Sequence, residues 1–273
     1  MGASMRKSLV ALGSLCLGVT TLLSAHDMFL KLRSFFLEQN TRILVPLLNG
    51  TFSSSENSID RNRIADISLI APGNRIRYDT TAVTARGDTT FLGIATEGAG
   101  TYVLGLSTRP NQLKISGKEF GAYLEEEGLT DVLDARKQAG IASDSASERY
   151  AKHVKAILQV GTLRNDGYAA VLGYPAELIP LENPYSVKPG GTLKVRALVN
   201  GTPAANITVL AGGRSPGNAR LAVQTIRTGS DGEATISLSR RGHYYVKFIS
   251  MVKVTGGVTD YVSNWATMTF QVR

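Results

Sequence analysis

The chain has 273 residues, 43% of them hydrophobic, and its 30 Lys and Arg against 22 Asp and Glu give a formal net charge of +8. That length suits one large or two small domains with a sizeable core. The basic residues are scattered, with "SRRGH" (Ser239 to His243) a tight pair, and no aromatic-and-basic cluster points to nucleic acid.

The chain opens with a positive patch, Arg6 and Lys7, followed by the uncharged stretch "SLVALGSLCLGVTTLLSA". A basic start, an apolar core and a terminal small residue predict a secretory signal peptide over residues 1–25, cut after Ala25. Leu23, three residues before the cut, is larger than the usual residue there, and Leu15 is too bulky for Cys16 to mark a lipoprotein. The apolar core is short of the ~20 residues a membrane span needs, so no span is expected after cleavage. The protein is therefore expected in the periplasm or outside the cell. Cys16 is the sole cysteine and leaves with the signal, so the remaining 248 residues are expected to have no disulfide and no thiol chemistry.

Residues 26–113 read as an antiparallel β domain. Short runs such as "DMFLKL", "TRILVPLL", "ADISLI" and "TTFLGIAT" alternate and are separated by turn residues. Asn49-Gly50, Pro72-Gly73-Asn74 and Arg86-Gly87-Asp88 are the predicted turns. The last also spells a cell-adhesion tripeptide, which a hairpin turn explains without any adhesion role.

Residues 114–171 read as a helical segment. Phe120, Tyr123 and Leu124, then Leu129, Val132 and Leu133, mark two short helices around Gly128. A third helix is expected over "SASERYAKHVKAILQVG", where Ser145 and Glu148 have capping-box spacing and Tyr150, Val154, Ile157 and Leu158 share one helical face with His153. The run Glu125, Glu126 and Glu127 reads as a solvated face.

Residues 172–273 return to β. Leu193, Val195, Ala197 and Val199 alternate with Lys194, Arg196 and Leu198, and Asn200-Gly201 and Asp231-Gly232 are hairpin signals. With "EATISLS", "HYYVKFISMVKV" and "DYVSNWATMTFQV" these strands predict an immunoglobulin-like β-sandwich of about 100 residues. The lone Trp265 in the last run reads as core packing.

Five blocks carry a family resemblance: "AHDMFLKL", "SGKEFGAYLEEEGLTDVLDARKQAG", "SERYAKHVKAILQVG", "IPLENPYSVKPGGTLKVRALVNGTPAANITV" and "DYVSNWATMTFQV". Together they resemble the bacterial DUF4198 family across essentially the whole chain after residue 25. The resemblance implies an exported, mostly β protein, and some members are labelled periplasmic components of cobalt or nickel uptake. It also implies a histidine in the strand segment corresponding to "VKFISM". This chain has Ser250 there, with His243 earlier on the strand.

A metal reading of the residues rests on His26. As residue one of the processed chain, it offers its α-amine and its imidazole Nδ1 to a single ion, a chelate no internal histidine forms alone. Terminal amines and imidazoles lose their protons near neutral pH, and nitrogen donors suit Ni, Co, Cu and Zn. Two nitrogens give modest affinity, so a further ligand from His153, His243 or Asp27 is wanted.

Enzyme signatures do not assemble. Gly213-Arg214-Ser215-Pro216-Gly217 fits the spacing of a hydrolase elbow, but Pro216 has no N–H to offer an oxyanion. The expectation is an exported, non-enzymatic protein that binds or delivers a divalent ion (Ni, Co or Cu) through His26, with His153 and His243 as further candidate ligands. Its expected partner is a metal-uptake transporter or another envelope protein, with no nucleic acid and no organic cofactor. The alternative is a metal-free β-sandwich interaction module of the cell envelope.

Overall fold

A computed structural model describes residues 26–273, and the expected signal peptide lies outside them. The first strands follow the predicted alternation: β1 (Asp27–Leu30), β2 (Phe36–Leu37), β3 (Arg42–Gly50), β4 (Ile64–Ala71) and β5 (Asn74–Arg77). Next come β6 (Val83–Arg86), β7 (Thr89–Ala95), β8 (Gly100–Thr108) and β9 (Asn111–Ile115). Pro72-Gly73 turns β4 into β5, and Gly87-Asp88 turns β6 into β7, each within an antiparallel pair.

Two helices follow, α1 (Gly117–Glu126) and α2 (Thr130–Gln138). Ser116 and Glu119 close a capping box at the start of α1. Gly128 ends it at φ 68°, the left-handed conformation that glycine adopts without Cβ strain. Phe120, Tyr123 and Leu124 are buried, and with Leu133 they form a satellite core against Ile249, Tyr261 and Trp265.

The third expected helix is a strand. β10 (Ala146–Val160) runs for 15 residues. It pairs parallel with the last strand, β18 (Tyr261–Val272), and antiparallel with β8 and β9. Every residue from Ala151 to Val160 is buried. A strand covered on both faces shows no polar alternation, so its apolar positions imitate a helical stripe. Glu148, the supposed capping residue, is fully buried on β10 and accepts from the hydroxyls of Tyr123 and Ser263.

The remaining strands are β11 (Ala176–Pro180), β12 (Thr192–Val199), β13 (Thr202–Pro203), β14 (Thr208–Arg214), β15 (Arg220–Arg227), β16 (Glu233–Ser237) and β17 (Gly242–Lys253). Asn200 and Gly201 both have positive φ between paired β12 and β13, as a two-residue hairpin turn requires. Asp231-Gly232 corrects another expectation. It is a turn, but β15 and β16 belong to different sheets, so it crosses between layers and makes no hairpin.

The fold is mainly β, a sandwich of largely antiparallel sheets. Among the described residues, β1-β3-β7-β6 form one sheet, and β11-β12-β13 with β16 form another. The third is a ten-stranded sheet, β15-β14-β17-β18-β10-β8-β4-β5, with β2 and β9 also on β10. That sheet draws strands from 26–113, 114–171 and 172–273 alike, and one hydrophobic core spans all three segments. Trp265 is 3% exposed and belongs to the satellite core, in keeping with its reading as packing.

Candidate functional site

β1 pairs with β3 along one edge only. Side chains of the large sheet fasten its other edge. Thr267 Oγ1 donates to the Met28 carbonyl at 2.8 Å, Thr269 Oγ1 to the Leu30 carbonyl at 2.6 Å, and the Lys152 ammonium to the His26 carbonyl. Every second carbonyl of residues 26–30 is thereby satisfied in a buried setting. Successive side chains on a strand alternate between faces, so Asp27, Phe29 and Lys31 line up together. They meet a matching row from β17 and β14. Asp27 Oδ2 lies 2.6 Å from Lys247 Nζ, and the Phe29 ring is 5.3 Å from that of Tyr245. Lys31 is pulled below its usual pKa by burial and by the nearby Arg214 charge.

Lys247 serves two carboxylates, with Glu127 Oε2 at 2.7 Å and Asp27 on its other side. Burial pulls the ammonium pKa down, but the two negative charges outweigh it and hold Lys247 above its ordinary value. Glu127 follows the last residue of α1 and is 7% exposed. Burial and the Asp27 charge push its carboxyl up to about 7 against the pull of Lys247. Glu127 therefore corrects the solvated-face reading of the Glu125–Glu127 run. The sequence does carry a hint, because a carboxylate beside a helix C-terminus opposes the helix dipole and calls for a tertiary partner. Lys152 is buried too, which brings it down to about 8.

Asp27, Phe29, Glu127, Tyr245 and Lys247 border a cleft of about 470 Å³. Phe29, Phe52 and Tyr245 form an aromatic wall, with ring centroids 5.0–5.3 Å apart. Gly212, the cross-strand partner of Tyr245, makes room for that ring, since a Cβ there would lie 2.5 Å from the phenol oxygen.

His26 sits at the cleft mouth with its side chain 21% exposed, and its Nε2 is 2.8 Å from Glu56 Oε2. A neutral imidazole that donates Nε2–H to a carboxylate carries its lone pair on Nδ1. Beside it, Asp27 Oδ1 is buried without a hydrogen-bond partner.

The other two candidate histidines lie elsewhere. His153 is 3% exposed in the large sheet, with Nε2 3.1 Å from Asn264 Oδ1 and Nδ1 2.9 Å from Ser107 Oγ. The amide oxygen only accepts, so Nε2 donates and Nδ1 accepts from Ser107. His243 is half-buried against Phe35 at 5.4 Å, four residues before Lys247 on β17, which is about 13 Å of strand. Among the described residues, no three His, Asp or Glu side chains form a ready cage for an ion. Ser250 lies on β17 opposite Asn264, and the Gly213–Gly217 segment is the end of β14 and its turn into β15. Sequence reasoning missed Lys247, Lys152 and Glu56.

A family model for DUF4198, a domain of unknown function, matches residues 23–251. The chain belongs to the DUF4198 family. The match takes in β1, the cleft wall, α1 and most of β17, so the arrangement around His26 lies within the DUF4198 region. No curated protein matches this DUF4198 chain in sequence. Among solved structures, a variant of alpha-2-macroglobulin from Salmonella aligns at 11% identity and a TM-score of 0.25, over 90% of this chain and 15% of its own. Trypsin-activated alpha-2-macroglobulin from Escherichia coli aligns at 10% identity and a TM-score of 0.22, over 90% of this chain and 16% of its own. The DUF4198 chain thus spans about a sixth of those proteins' length, and likenesses at such scores carry no argument.

Proposed function

We propose that this is an exported, non-enzymatic protein that binds a divalent transition ion, Ni or Co, through His26 once residues 1–25 are removed, and passes it to an uptake transporter or another envelope protein. The observation that carries this reading is the Glu56 carboxylate on His26 Nε2. Histidines that ligate metals regularly give their second ring N–H to such an acceptor, which fixes the ring and raises the basicity of the ligating nitrogen. Here that nitrogen is Nδ1, the one that closes a chelate with the α-amine of a terminal residue.

The donor set fits a nitrogen-preferring divalent ion. Cleavage supplies the amine, His26 the imidazole, and Asp27 a carboxylate oxygen that has no hydrogen-bond partner. Lys247 opposes a second cation, but it is shared between two carboxylates, so Asp27, Lys247 and Glu127 carry a net negative charge when both acids are ionised. A bound ion would supply two positive charges to this acidic end of the cleft. The Lys152 bond to the His26 carbonyl and the pairing of Asp27 with Gly50 hold the terminus in place.

Calorimetry with Ni, Co, Cu and Zn on the protein beginning at His26, beside a form with one extra residue before it, tests the reading. Binding by the first form, lost on extension and on His26→Ala, is the expected result. Equal binding by all three, or binding by none, would overturn it, and binding by none would favour the metal-free interaction module.

A further inference from the structure

The cleft is far larger than an ion needs and lies in the range of small organic ligands, roughly 300–1,000 Å³. Its charges are also sorted along its length. β17 sets the axis, with Lys247 at one end, Tyr245 in the middle and residue 243 at the other. Arg214 is the cross-strand partner of residue 243, and Arg220 is the partner of Arg214. Glu56, Glu126, Glu127 and Asp27 lie toward the Lys247 end, where four carboxylates outnumber the ammoniums of Lys247 and the buried Lys152. The far end is cationic, with Arg214 and Arg220 in the wall and Lys31 beside them. Between the ends stand Phe29, Phe52 and Tyr245.

We infer that this cleft binds a short zwitterionic peptide, its ammonium toward Glu56 and Glu126, an apolar side chain on the aromatic wall, and its carboxylate on Arg214 and Arg220. The two ends are about 13 Å apart along the strand, and side chains reaching inward shorten the gap to be bridged. An extended peptide advances about 3.3 Å per residue, so two or three residues fit. Guanidinium forks pair with a carboxylate in two parallel hydrogen bonds, which a neutral amide cannot reproduce. Both fixed charges of the ligand thus find their opposites, and neither finds them if the peptide is reversed.

This inference does not rest on a bound metal, and its test is made without one. The protein beginning at His26 is titrated calorimetrically in the presence of EDTA with three probes: Ala-Phe-Ala, its C-terminal amide and its N-acetyl form. The free peptide is expected to bind, and each blocked form to bind about tenfold more weakly or worse. With Arg214→Ala and Arg220→Ala together, the free peptide should fall to the affinity of the amide while the melting temperature holds. Arg220→Ala alone, at an exposed position, should give part of that loss. Failure of Ala-Phe-Ala to bind at millimolar concentration, or equal binding of the three probes, would overturn the inference. Ni binding measured without peptide reports on the metal reading separately, so either can fail alone.

Discussion

Tyr123 lies flat on Trp265, with ring centroids 5.6 Å apart and planes 5° from parallel. This pair ties α1 to β18, and Trp265 Nε1 also donates to Ser263 Oγ at 3.0 Å. Trp265→Ala should cost on the order of 3–5 kcal/mol, the usual range for emptying a large aromatic site. Trp265→Phe, which keeps a ring but loses the Nε1 bond, should cost clearly less. Urea midpoints followed by circular dichroism decide it, and an unchanged midpoint for the alanine variant would refute the core role.

Removing the ammonium between Asp27 and Glu127 leaves a half-buried and a buried carboxylate facing each other. Lys247→Met is expected to destabilise by roughly 3–5 kcal/mol at pH 8, because an uncompensated buried charge remains. The loss should shrink at pH 5, where the acids can hold a proton between them. Denaturation at the two pH values tests this, and an equal loss at both would show that the charges do not matter.

Glu127 has its own signature in the unmutated protein. Its folded pKa is about 7 against an ordinary 4.5, so between those values the native state holds a proton that the unfolded chain has released. Stability from this group is therefore present at low pH and falls as pH rises from about 4.5 through 7, by on the order of 3 kcal/mol. Glu127→Gln should flatten that part of the profile. A variant whose stability still declined over the same window would move the effect to another group.

The outer edge of β1 depends on hydroxyls that valine lacks. Thr267→Val and Thr269→Val keep the branched shape but strand the carbonyls of Met28 and Leu30, at about 1–3 kcal/mol each. Hydrogen exchange of residues 27–30 should quicken in both variants, as read by mass spectrometry. Unchanged exchange would mean that the pairing with β3 is enough to hold the strand.

Most of the strands were legible because they are half-exposed and alternate, and because Pro72-Gly73, Gly87-Asp88 and Asn200-Gly201 announce their turns. β10 was not, since burial on both faces erases the period that separates strand from helix. The spacing of Ser and Glu misled as well. Ser116 and Glu119 form a true capping box, whereas Ser145 and Glu148 have the same spacing at a strand entrance. At the site, His26 and Asp27 stood out by position, but Lys247 and Glu127 lie 220 and 100 residues away from Asp27 and have no local pattern that joins them. His153 drew attention as one of three histidines, yet its two ring nitrogens serve Asn264 and Ser107 within the sheet.

The bonds from Thr267 and Thr269 to β1 each span 239 residues of sequence. Contacts that distant form late, after nearer ones have repaid the loop entropy that delays them. The first described strand thus waits for the last before its Met28 and Leu30 carbonyls have partners. The cleft cannot exist on a nascent or half-folded chain, however complete its lining residues are. A change that loosens β18 would abolish anything the cleft binds without touching a residue in it, and a loss-of-binding screen would place such changes far from the cleft in sequence.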